Sequence, residues 1–299
     1  MKSWKYIFAV LFLLLALIWL AVLVFPENNL SLVACNVGQG DAVLAVYGNT
    51  QMLIDGGPNS KVLDCLSKYL PFWDRELELV ILTHPQADHF KGLIDVFKRY
   101  EIDTFLVDGL DVSTPEYDVL KNQVTGSGAQ VVNPTKGMVF RLGLIYLDVL
   151  WPTQEYLTRN TEKIDSLASG VLGAYTSNRD SNELSIVAVL RFKDFNALLT
   201  GDMSPEVSDV IAEELTQSGI QSIDYIKIPH HGSKNGLTSK LLEVARPAVA
   251  VISVGKNSYG HPHDEIINLL RDEEVKILRT DEIGDVEVIS NGEKYWLKN

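Results

Sequence analysis

Apolar and polar positions along this chain of 299 residues change in period, and the changes predict a mixture of helices and strands. Short runs rich in Val, Leu and Ala predict strands at 30–47, 51–54, 77–83, 104–107, 138–149, 186–192, 197–200, 225–228 and 248–254. Helical spacing predicts helices at 61–69, 90–100, 205–217, 239–245 and 263–272. Apart from these runs, residues 110–180 are less regular. The mixture predicts an α/β domain whose helices cover sheets and whose functional side chains lie on loops at strand ends.

The N-terminal apolar run covers residues 6–25 and contains no charge. About 20 apolar residues cross a bilayer as a helix, so the run predicts a transmembrane anchor. Lys2 and Lys5 precede the run and Glu27 follows it, which predicts a cytoplasmic N-terminus and a single-pass protein of the cell membrane. A cleaved signal peptide is the alternative, although its apolar region is usually about 7–15 residues long. We expect an anchor and linker over 1–29 and one extracytoplasmic domain over 30–299.

Charge and cysteine content limit the classes of function. The formal net charge of −13 disfavours a surface that holds nucleic acid through basic residues alone. A nuclease that binds divalent metal is still compatible with this charge, because the metal neutralises a phosphate at the site itself. Cys35 and Cys65 are too few for a disulfide framework, and the sequence leaves open whether they pair.

All six histidines fall in three short clusters, and imidazole is the commonest protein ligand for transition metals. The clusters are His84 with His89, His230 with His231, and His261 with His263. The first cluster follows the predicted strand 77–82 in the segment T-H-P-Q-A-D-H at 83–89, whose donors suit zinc or manganese. The simpler interpretation of this segment is a helix cap with solvated histidines. The clustering favours a metal-dependent hydrolytic site assembled from distant loops.

The segment 83–89 resembles the H-x-H-x-D-H signature of the metallo-β-lactamase superfamily, with Gln86 where a histidine or an aspartate usually lies. Asp55, at a strand end, resembles the residue that orients the metal-binding loop without binding metal. Asp202 resembles the carboxylate that bridges two metals. Further motifs resemble the hydrolase domain of ComEC-type DNA-uptake competence proteins, and they are N-V-G-Q-G-D at 36–41, P-H-H-G-S at 229–233, S-V-G at 253–255, Y-G-H-P at 259–262 and R-T-D at 279–281.

The resemblance covers roughly residues 30–290 and implies an αββα sandwich with metals at one sheet edge, here preceded by the transmembrane helix. It implies one or two divalent ions, zinc or manganese. The metal ligands that it implies are His84, Asp88, His89, Asp202 and His261. Gln86 and Asp180 are further, weak ligands, with Asn182 as the alternative to Asp180.

The catalytic residues implied by the resemblance are Asp88, His230 and His231. One of the two histidines would bind metal, and the other would protonate the leaving oxygen, a role suited to a pKa near neutrality. The alternative for 229–233 is a tight turn with surface histidines. The expected substrate-binding residues are Ser233, Asn257, Tyr259 and His263, although His263 is also placed to begin the last helix.

These features favour a membrane-anchored, metal-dependent phosphodiesterase or nuclease that acts on DNA. The second hypothesis is a metallohydrolase of a small ester, lactam or phosphodiester, which the acidic surface favours. The third is a non-catalytic metal-binding accessory protein, suggested by Gln86 and by the absence of a third histidine for the first metal. The expected partners are the phosphodiester substrate and the lipid bilayer, and the sequence identifies no protein partner.

Overall fold

The computed structural model describes residues 2–24, 29–164, 172–220 and 222–298, with only the backbone described at 2–3 and 20–24. The helices in these ranges are α1 (Lys2–Val24), α2 (Lys61–Tyr69), α3 (Ala87–Val96), α4 (Pro115–Ser127), α5 (Gln154–Asn160), α6 (Pro205–Ser218), α7 (Ser239–Ala245), α8 (Asp264–Asp272) and α9 (Thr280–Ile283). The strands are β1 (Leu30–Ala34), β2 (Val43–Tyr47), β3 (Thr50–Ile54), β4 (Glu76–Leu82), β5 (Glu101–Val107), β6 (Gln130–Val132), β7 (Val139–Leu142), β8 (Ile145–Trp151), β9 (Glu162–Lys163), β10 (Tyr175–Thr176), β11 (Val187–Phe192), β12 (Phe195–Leu199), β13 (Tyr225–Lys227), β14 (Val249–Ile252), β15 (Lys276–Arg279), β16 (Val286–Ser290) and β17 (Tyr295–Lys298). Short 3₁₀ turns lie at Ser181–Leu184 and Pro229–Gly232.

Most strands belong to two large sheets. The first has the order β17-β16-β1-β2-β3-β4-β5-β6 and the second the order β15-β14-β13-β12-β11-β8-β7. Neighbours from β3 to β6 are parallel, and so are neighbours from β12 to β15. Parallel strands bring their carboxyl ends to one edge of a sheet, where α/β proteins place their ligands. The loops after these strands are therefore the natural place for a site.

An apolar layer lies between the two sheets. Leu32 and Met52 of the first sheet and Leu147, Leu190 and Val251 of the second belong to this layer and are completely buried. Burying one such side chain contributes roughly 1.5–3 kcal/mol relative to leaving it exposed. The layer therefore fixes the two sheets, and the loops that each of them carries, relative to one another.

Helices cover the outer face of each sheet. Leu66 of α2 and Leu93 of α3 are buried against the first sheet, and Ile211 of α6 and Leu241 of α7 are buried against the second. The layers are thus helices, sheet, sheet and helices. This arrangement confirms the mixed α/β fold of two packed sheets flanked by helices.

Two predicted elements have different ends in the structure. The third helix begins at Ala87, three residues before its predicted start, so that Asp88 and His89 lie in its first turn. The strands predicted within 138–149 form a hairpin of β7 and β8 that turns at Gly143, which has a φ of 61°, and β8 continues to Trp151. Polar residues thus begin α3, and a glycine lies at the turn between β7 and β8.

The helix α4 lies in the region that the sequence pattern leaves less regular. Oγ1 of Thr114 accepts a hydrogen bond from the Tyr117 amide at 3.3 Å, and Pro115 follows as the first helical residue. Gly128 ends the helix in the left-handed conformation, with a φ of 80°. These are ordinary start and stop signals of a helix.

The chain begins with α1, whose backbone is helical over 23 residues. The large apolar side chains described along it, from Trp4 to Trp19, are exposed. Within the residues whose side chains are described, no helix is both long and apolar enough to span a membrane. The structure therefore does not show the predicted transmembrane anchor.

Cys35 and Cys65 form a disulfide with a Cα–Cα distance of 5.9 Å. Cys35 directly follows β1, and Cys65 lies in α2, 30 residues further along the chain. Both cysteines are buried. The bond therefore ties the opening strand to the helix that covers it.

Candidate metal centre

One buried centre collects residues from the ends of five strands. Asp55 follows β3, His84 lies shortly after β4, and Asp202 lies three residues beyond β12. Lys227 is the last residue of β13, and Ser253 directly follows β14. Both sheets thus contribute to the centre, which lies at the edge where their parallel strands end.

Four buried side chains form a cluster that could hold a metal ion. They are Asp41, His89, Asp202 and His231, and each offers one ligand atom within 4.8 Å of all the others. Three of them lie in the segments that the sequence analysis singles out for metal chemistry. This cluster is the observation from which the chemistry of the site follows.

The two imidazoles of the cluster are held in one orientation. Nδ1 of His89 lies 2.8 Å from Oδ2 of Asp55, and Nδ1 of His231 donates to the Ser253 carbonyl at 2.9 Å. The opposite ring atoms face Asp202, with distances to its Oδ2 of 3.3 Å from His89 Nε2 and 3.5 Å from His231 Nε2. Fixing Nδ1 in this way leaves Nε2 as the ligand atom.

Asp55 lies behind His89 rather than in the centre. Its carboxylate also accepts hydrogen bonds from the amide and from the hydroxyl of Thr83, each at 2.8 Å. Asp55 therefore connects β3, the loop after β4 and the first turn of α3. This placement agrees with the orienting role that the resemblance implies.

Asp41 faces the same side of the histidines as Asp55 does. Its carboxylate oxygens are 3.9 Å from Nδ1 of His89 and 3.6 Å from Nδ1 of His231, so they approach both rings at the Nδ1 atoms. A metal bound at the Nε2 atoms would therefore lie away from Asp41. Although Asp41 belongs to the four-residue cluster, the orientation of the rings assigns it to the back of the site.

Lys227 is a buried cation that the sequence analysis does not identify. Its side chain is 3% exposed, contacts the carboxylate of Asp41 and lies 3.3 Å from Oδ1 of Asp202. Its ammonium also donates to the Gly201 carbonyl at 2.9 Å. A lysine that ends an otherwise apolar strand is the sequence signal that points to it, since lysine is seldom fully buried without a partner.

Asp88 connects the buried centre with solvent. Its side chain is 30% exposed, and its Oδ2 lies 3.3 Å from Nε2 of His231. It lies in the first turn of α3. Asp88 can therefore face both a bound metal and a substrate.

His84 presents one further ligand atom to the centre. Its Nδ1 lies 3.1 Å from the hydroxyls of Thr83 and Ser185, whereas its buried Nε2 has no hydrogen-bond partner in the described residues. Its ring centroid is 4.1 Å from that of His89. His84 is thus positioned beside the cluster as the sequence predicts.

Gln86 and Asp180, the expected weak ligands, both form hydrogen bonds with the 3₁₀ turn at 181–184. Nε2 of Gln86 donates to Oδ1 of Asn182 at 2.7 Å and to Oγ of Ser181 at 3.0 Å. Asp180 accepts from the Asn182 amide at 3.0 Å and caps the 3₁₀ turn at 181–184. A hydrogen-bonded pair of amides therefore lies next to His84.

The tight turn at 229–232 separates the roles of its two histidines. His230 and His231 have φ values of 52° and 54°, in the left-handed region where residues other than glycine cost roughly 1–3 kcal/mol each. Gly232 follows with a φ of 80°. The turn buries His231 in the centre and leaves His230 at the cavity above it.

The remaining histidines form an outer group with Tyr259. The ring of His261 lies 5.6 Å from that of His230, 4.9 Å from that of His263 and 5.7 Å from that of Tyr259, between centroids. The structure does not bring His261 into the four-residue cluster, where it places His231 instead. The site thus has a buried inner group and an outer group of rings.

The other expected substrate-binding residues shape the loops around the outer group. The side-chain oxygen of Asn257 accepts from the amides of Tyr259, Gly260 and His261 at 3.0–3.1 Å. Ser233 accepts from the Asn235 amide at 3.2 Å. His263 directly precedes α8 and accepts from the Lys234 amide at 3.3 Å, through Nδ1. Through these hydrogen bonds, the three side chains hold the loops around the outer group in place.

Charges within the centre shift its pKa values strongly. Burial lowers the pKa of His231, but Asp202 and Asp41 outweigh burial and raise it to about 10. Burial, followed by His89, lowers the pKa of His84 to about 3. Burial raises the pKa of Asp202, but the nearby histidines and Lys227 bring it well below its usual value. Asp202 is therefore ionised, and the neighbouring histidines and Lys227 balance its charge.

The residues present fit a divalent metal ion. His84 Nε2, His89 Nε2 and Asp202 Oδ2 are buried atoms without hydrogen-bond partners among the described residues. Unsatisfied buried polar groups are costly, and a metal ion between His89 and Asp202 would satisfy the two atoms that these residues leave unpaired. Imidazole nitrogen with carboxylate oxygen is a donor set that suits zinc and manganese.

A cavity of about 810 Å³ lies above the centre. Asp88, His230 and His231 line this cavity together with Lys91, Lys256 and Tyr259. The other lining residues are Gln39, Pro58, Gln86, Ala87, Asn257, Ser258 and His261. Tyr259 is 70% exposed. The rim thus combines two lysines with an exposed aromatic ring.

Comparison with protein families and curated proteins gives consistent matches. The model of the metallo-beta-lactamase superfamily matches residues 35–256. ComE operon protein 3 of Bacillus subtilis (strain 168) is 25% identical over 216 residues, 71% of this chain and 24% of that protein. Recombination protein 2 of Haemophilus influenzae is 26% identical over 258 residues, 85% of this chain and 28% of that protein. Competence protein ComA of Neisseria gonorrhoeae is 24% identical over 264 residues, 87% of this chain and 32% of that protein. The chain thus spans about a quarter to a third of the length of these relatives.

Solved structures share the fold at low sequence identity. The metallo-beta-lactamase fold protein YhfI from Bacillus subtilis matches with a TM-score of 0.54 and 12% identity, over 87% of this chain and 100% of that one. CmlA, a diiron beta-hydroxylase from Streptomyces venezuelae, matches with a TM-score of 0.53 and 14% identity, over 88% of this chain and 54% of that one. Identities this low support a shared fold only. The reaction therefore has to be inferred from the side chains of the site.

Proposed function

Because this chain belongs to the metallo-β-lactamase superfamily, we propose that it is a metal-dependent phosphodiesterase that hydrolyses DNA. The observation that carries the proposal is the buried group of His89, Asp202 and His231, which lies beneath a cavity with basic residues at its rim. A divalent ion held there would act as a Lewis acid on the attacked phosphoryl group. Residues 30–299 would constitute the hydrolase domain.

Asp88 would accept a proton from the attacking water, and His230 would donate a proton to the leaving oxygen. Burial raises the pKa of Asp88, but the hydrogen bond with His231 and nearby charges lower it, so Asp88 is an ionised acceptor for a proton of the attacking water. Nδ1 of His230 is buried without a hydrogen-bond partner in the described structure, and this ring lines the cavity. His230 would therefore protonate the leaving oxygen.

The cavity rim favours DNA over a small ester or lactam. Lys256, and Lys91 on exchange of its ion pair with Glu116 at 3.0 Å, would contact backbone phosphates and offset the overall charge of −13 near the site. Tyr259 offers an exposed ring on which an unpaired base can stack. Two relatives are named for recombination and competence, which is compatible with a DNA substrate.

We further propose that the apolar residues 6–25 anchor the protein in a membrane, a proposal that the sequence alone supports. The Cys35–Cys65 disulfide is compatible with an extracytoplasmic domain, because disulfides persist in oxidising compartments. Fractionation of cells that produce the full chain tests the anchor. Recovery with membranes after an alkaline carbonate wash is expected, and recovery in the soluble fraction would contradict it.

The test of the reaction is cleavage of fluorescently labelled single- and double-stranded DNA by the full chain in the presence of manganese or zinc. We expect His89→Ala and Asp202→Asn to lower the rate by roughly 10²-fold or more. Asp103→Asn, at an exposed position of β5, is the matched control and should retain the wild-type rate. DNA that stays intact with every metal would refute the proposed activity.

A further inference from the structure

We propose that Lys227 and Asp41 form a fixed ion pair behind the metal-binding face and that this pair limits the centre to one divalent ion. The inference rests on the proposed metal-dependent function. It assigns to Lys227 a positioning role and to Asp41 a role other than that of a metal ligand.

The pair is built into the fold. Lys227 ends the central parallel strand β13, and its backbone carbonyl accepts from the Thr200 hydroxyl at 2.7 Å. The side chains of Lys227 and Asp41 are each 3% exposed and in direct contact. A buried charge without a partner is strongly destabilising, so each of these two residues requires the other.

The two carboxylate oxygens of Asp202 face different partners, because Oδ1 faces the Lys227 ammonium and Oδ2 faces the proposed metal position. Oδ1 of Asp202 lies 3.3 Å from the Lys227 ammonium and accepts from the His230 amide at 3.2 Å. Oδ2 faces the Nε2 atoms of His89 and His231. Only Oδ2 is therefore available to a metal on that face, while Oδ1 already contacts the permanent charge of the lysine.

The side of the centre next to His84 offers few further ligands. The Gln86 amide nitrogen donates to Asn182 and Ser181, which fixes that side chain in the loop. His84 Nε2 is then the remaining free imidazole atom on that side among the described residues. One imidazole with a neutral amide pair is a poor donor set for a second divalent ion.

The charges of the carboxylates at the centre also favour a single divalent ion. Lys227 neutralises Asp41, and Asp55 is bonded to Nδ1 of His89 and to Thr83, which leaves Asp88 and Asp202 as the two carboxylates that face the Nε2 atoms. One divalent ion balances two carboxylates when the histidines are neutral, as ligands must be. A second ion would find no further carboxylate on that face among the described residues.

The test is a charge-exchange series measured by equilibrium dialysis of the full chain against Mn²⁺, with bound metal counted by mass spectrometry. Wild-type protein should bind one equivalent. Lys227→Met leaves the Asp41 carboxylate unpaired and should bind a second equivalent. Asp41→Asn leaves Asp202 as the remaining carboxylate partner of the lysine, so the lysine competes with the metal for Asp202 and Mn²⁺ binding should weaken roughly tenfold or more.

The double variant Asp41→Asn with Lys227→Met distinguishes two roles of Asp41, the ion-pair partner of Lys227 and a ligand of the metal. Because it removes both charges together, it should again bind one equivalent, within roughly threefold of the wild-type affinity. If Asp41 were a metal ligand, the double variant would lose as much affinity as Asp41→Asn alone. Such a loss, two equivalents in the wild-type protein, or unchanged binding by Lys227→Met would each overturn the proposal.

The exposed ion pair of Lys98 and Asp95, with an N–O distance of 3.1 Å, provides the matched controls. Lys98→Met and Asp95→Asn should leave metal binding unchanged. If circular dichroism shows that a single variant at the centre is unfolded, the comparison of the double variant with wild-type protein decides the matter. DNA cleavage is not a readout here, so a protein that follows this binding pattern without cleaving DNA would refute the proposed function and support the inference.

Discussion

At the scale of single residues, the centre depends on polar groups that hold other polar groups in place. Asp55, Ser253 and Lys227 each direct a side chain of the centre without facing the Nε2 atoms themselves. The sequence motif identified Asp55, because it lies at a strand end in a pattern known from the superfamily. Ser253 and Lys227 act through contacts between distant strands, and their spacing along the chain does not reveal such contacts.

Asp55→Asn tests the support of His89. The amide keeps the shape of the side chain, and asparagine tolerates the left-handed φ of 59° at this position. It has one acceptor oxygen fewer for the donors on Thr83 and His89. We expect roughly 10–100-fold weaker metal binding, measured by dialysis, with a far-ultraviolet circular dichroism spectrum like that of the wild type. Unchanged affinity would show that His89 does not need this support.

Asp108 provides a test of pH dependence away from the centre. This residue is buried and accepts from the Leu110 amide through Oδ1, while its Oδ2 has no partner in the described structure. Burial raises its pKa well above the usual value, so folding favours the protonated acid. The stability that this group contributes is present below its unfolded pKa, roughly 3.9, and is lost as the pH rises through the folded value.

Asp108→Asn should therefore stabilise the protein increasingly above pH 4, by roughly 1–3 kcal/mol near pH 8, because the amide carries no buried charge. The free energy of unfolding in urea, measured for both proteins at pH 4.5 and pH 8, gives the comparison. A difference between the proteins that is the same at both pH values would contradict the assigned protonation.

At the scale of elements, the contact between α3 and the loop after β3 determines where His89 lies. The Gly56 amide donates to the His89 carbonyl, and the Gly92 amide donates to the Gly57 carbonyl at 2.9 Å. A Cβ atom added at Gly92 would lie 1.9 Å from the Gly56 carbonyl oxygen. The glycine thus permits a backbone approach that no other residue allows.

Gly92→Ala should displace α3 and reduce both stability and metal affinity, although alanine favours a helix by itself. Gly126→Ala in α4 is the matched control, because its added Cβ atom would have no neighbour within 4 Å. This control should gain roughly 0.5–1 kcal/mol of stability. Urea unfolding and metal dialysis of both variants distinguish the two effects. A stabilised Gly92→Ala protein that binds metal normally would contradict the packing argument.

The prediction of elements from sequence was good where apolar periodicity is strong. The strand at 77–83 and the helix at 205–217 correspond to β4 and α6. The helix α4 was not predicted, because only Tyr117, Leu120 and Val124 are buried along its 13 residues. Its capping signals at Thr114 and Gly128 were present, and they would have indicated it. A helix with few buried residues has weak apolar periodicity, but its capping residues are still recognisable in the sequence.

At the scale of the whole molecule, two sheets and a disulfide fix the loops that build the site. The resemblance implied that one of His230 and His231 binds metal, but the sequence did not decide which of the two would lie beside Asp202, where the structure places His231. That choice depends on the left-handed turn at 230–231 and on the carbonyl of Ser253 from the neighbouring strand. Both features are tertiary, and neither leaves a spacing pattern in the sequence.

Removal of the disulfide tests how much it stabilises the fold. The loop between Cys35 and Cys65 spans 30 residues, so the chain-entropy estimate of its contribution is about 3–4 kcal/mol. Cys35→Ala with Cys65→Ala should lower the free energy of unfolding in urea by about this amount. Reduction of the wild-type protein should have a similar effect. Equal stability of the oxidised and reduced proteins would show that packing alone holds β1 against α2.

The central claim is that one metal ion at the buried histidine–carboxylate centre supports hydrolysis of DNA. The most direct measurement titrates metal-free protein with Mn²⁺ while the cleavage of labelled single-stranded DNA is followed. We predict that the rate rises with the first bound equivalent, changes little beyond it, and stays at background in Asp202→Asn. Cleavage that is independent of metal, or equal in Asp202→Asn and the wild type, would contradict the account.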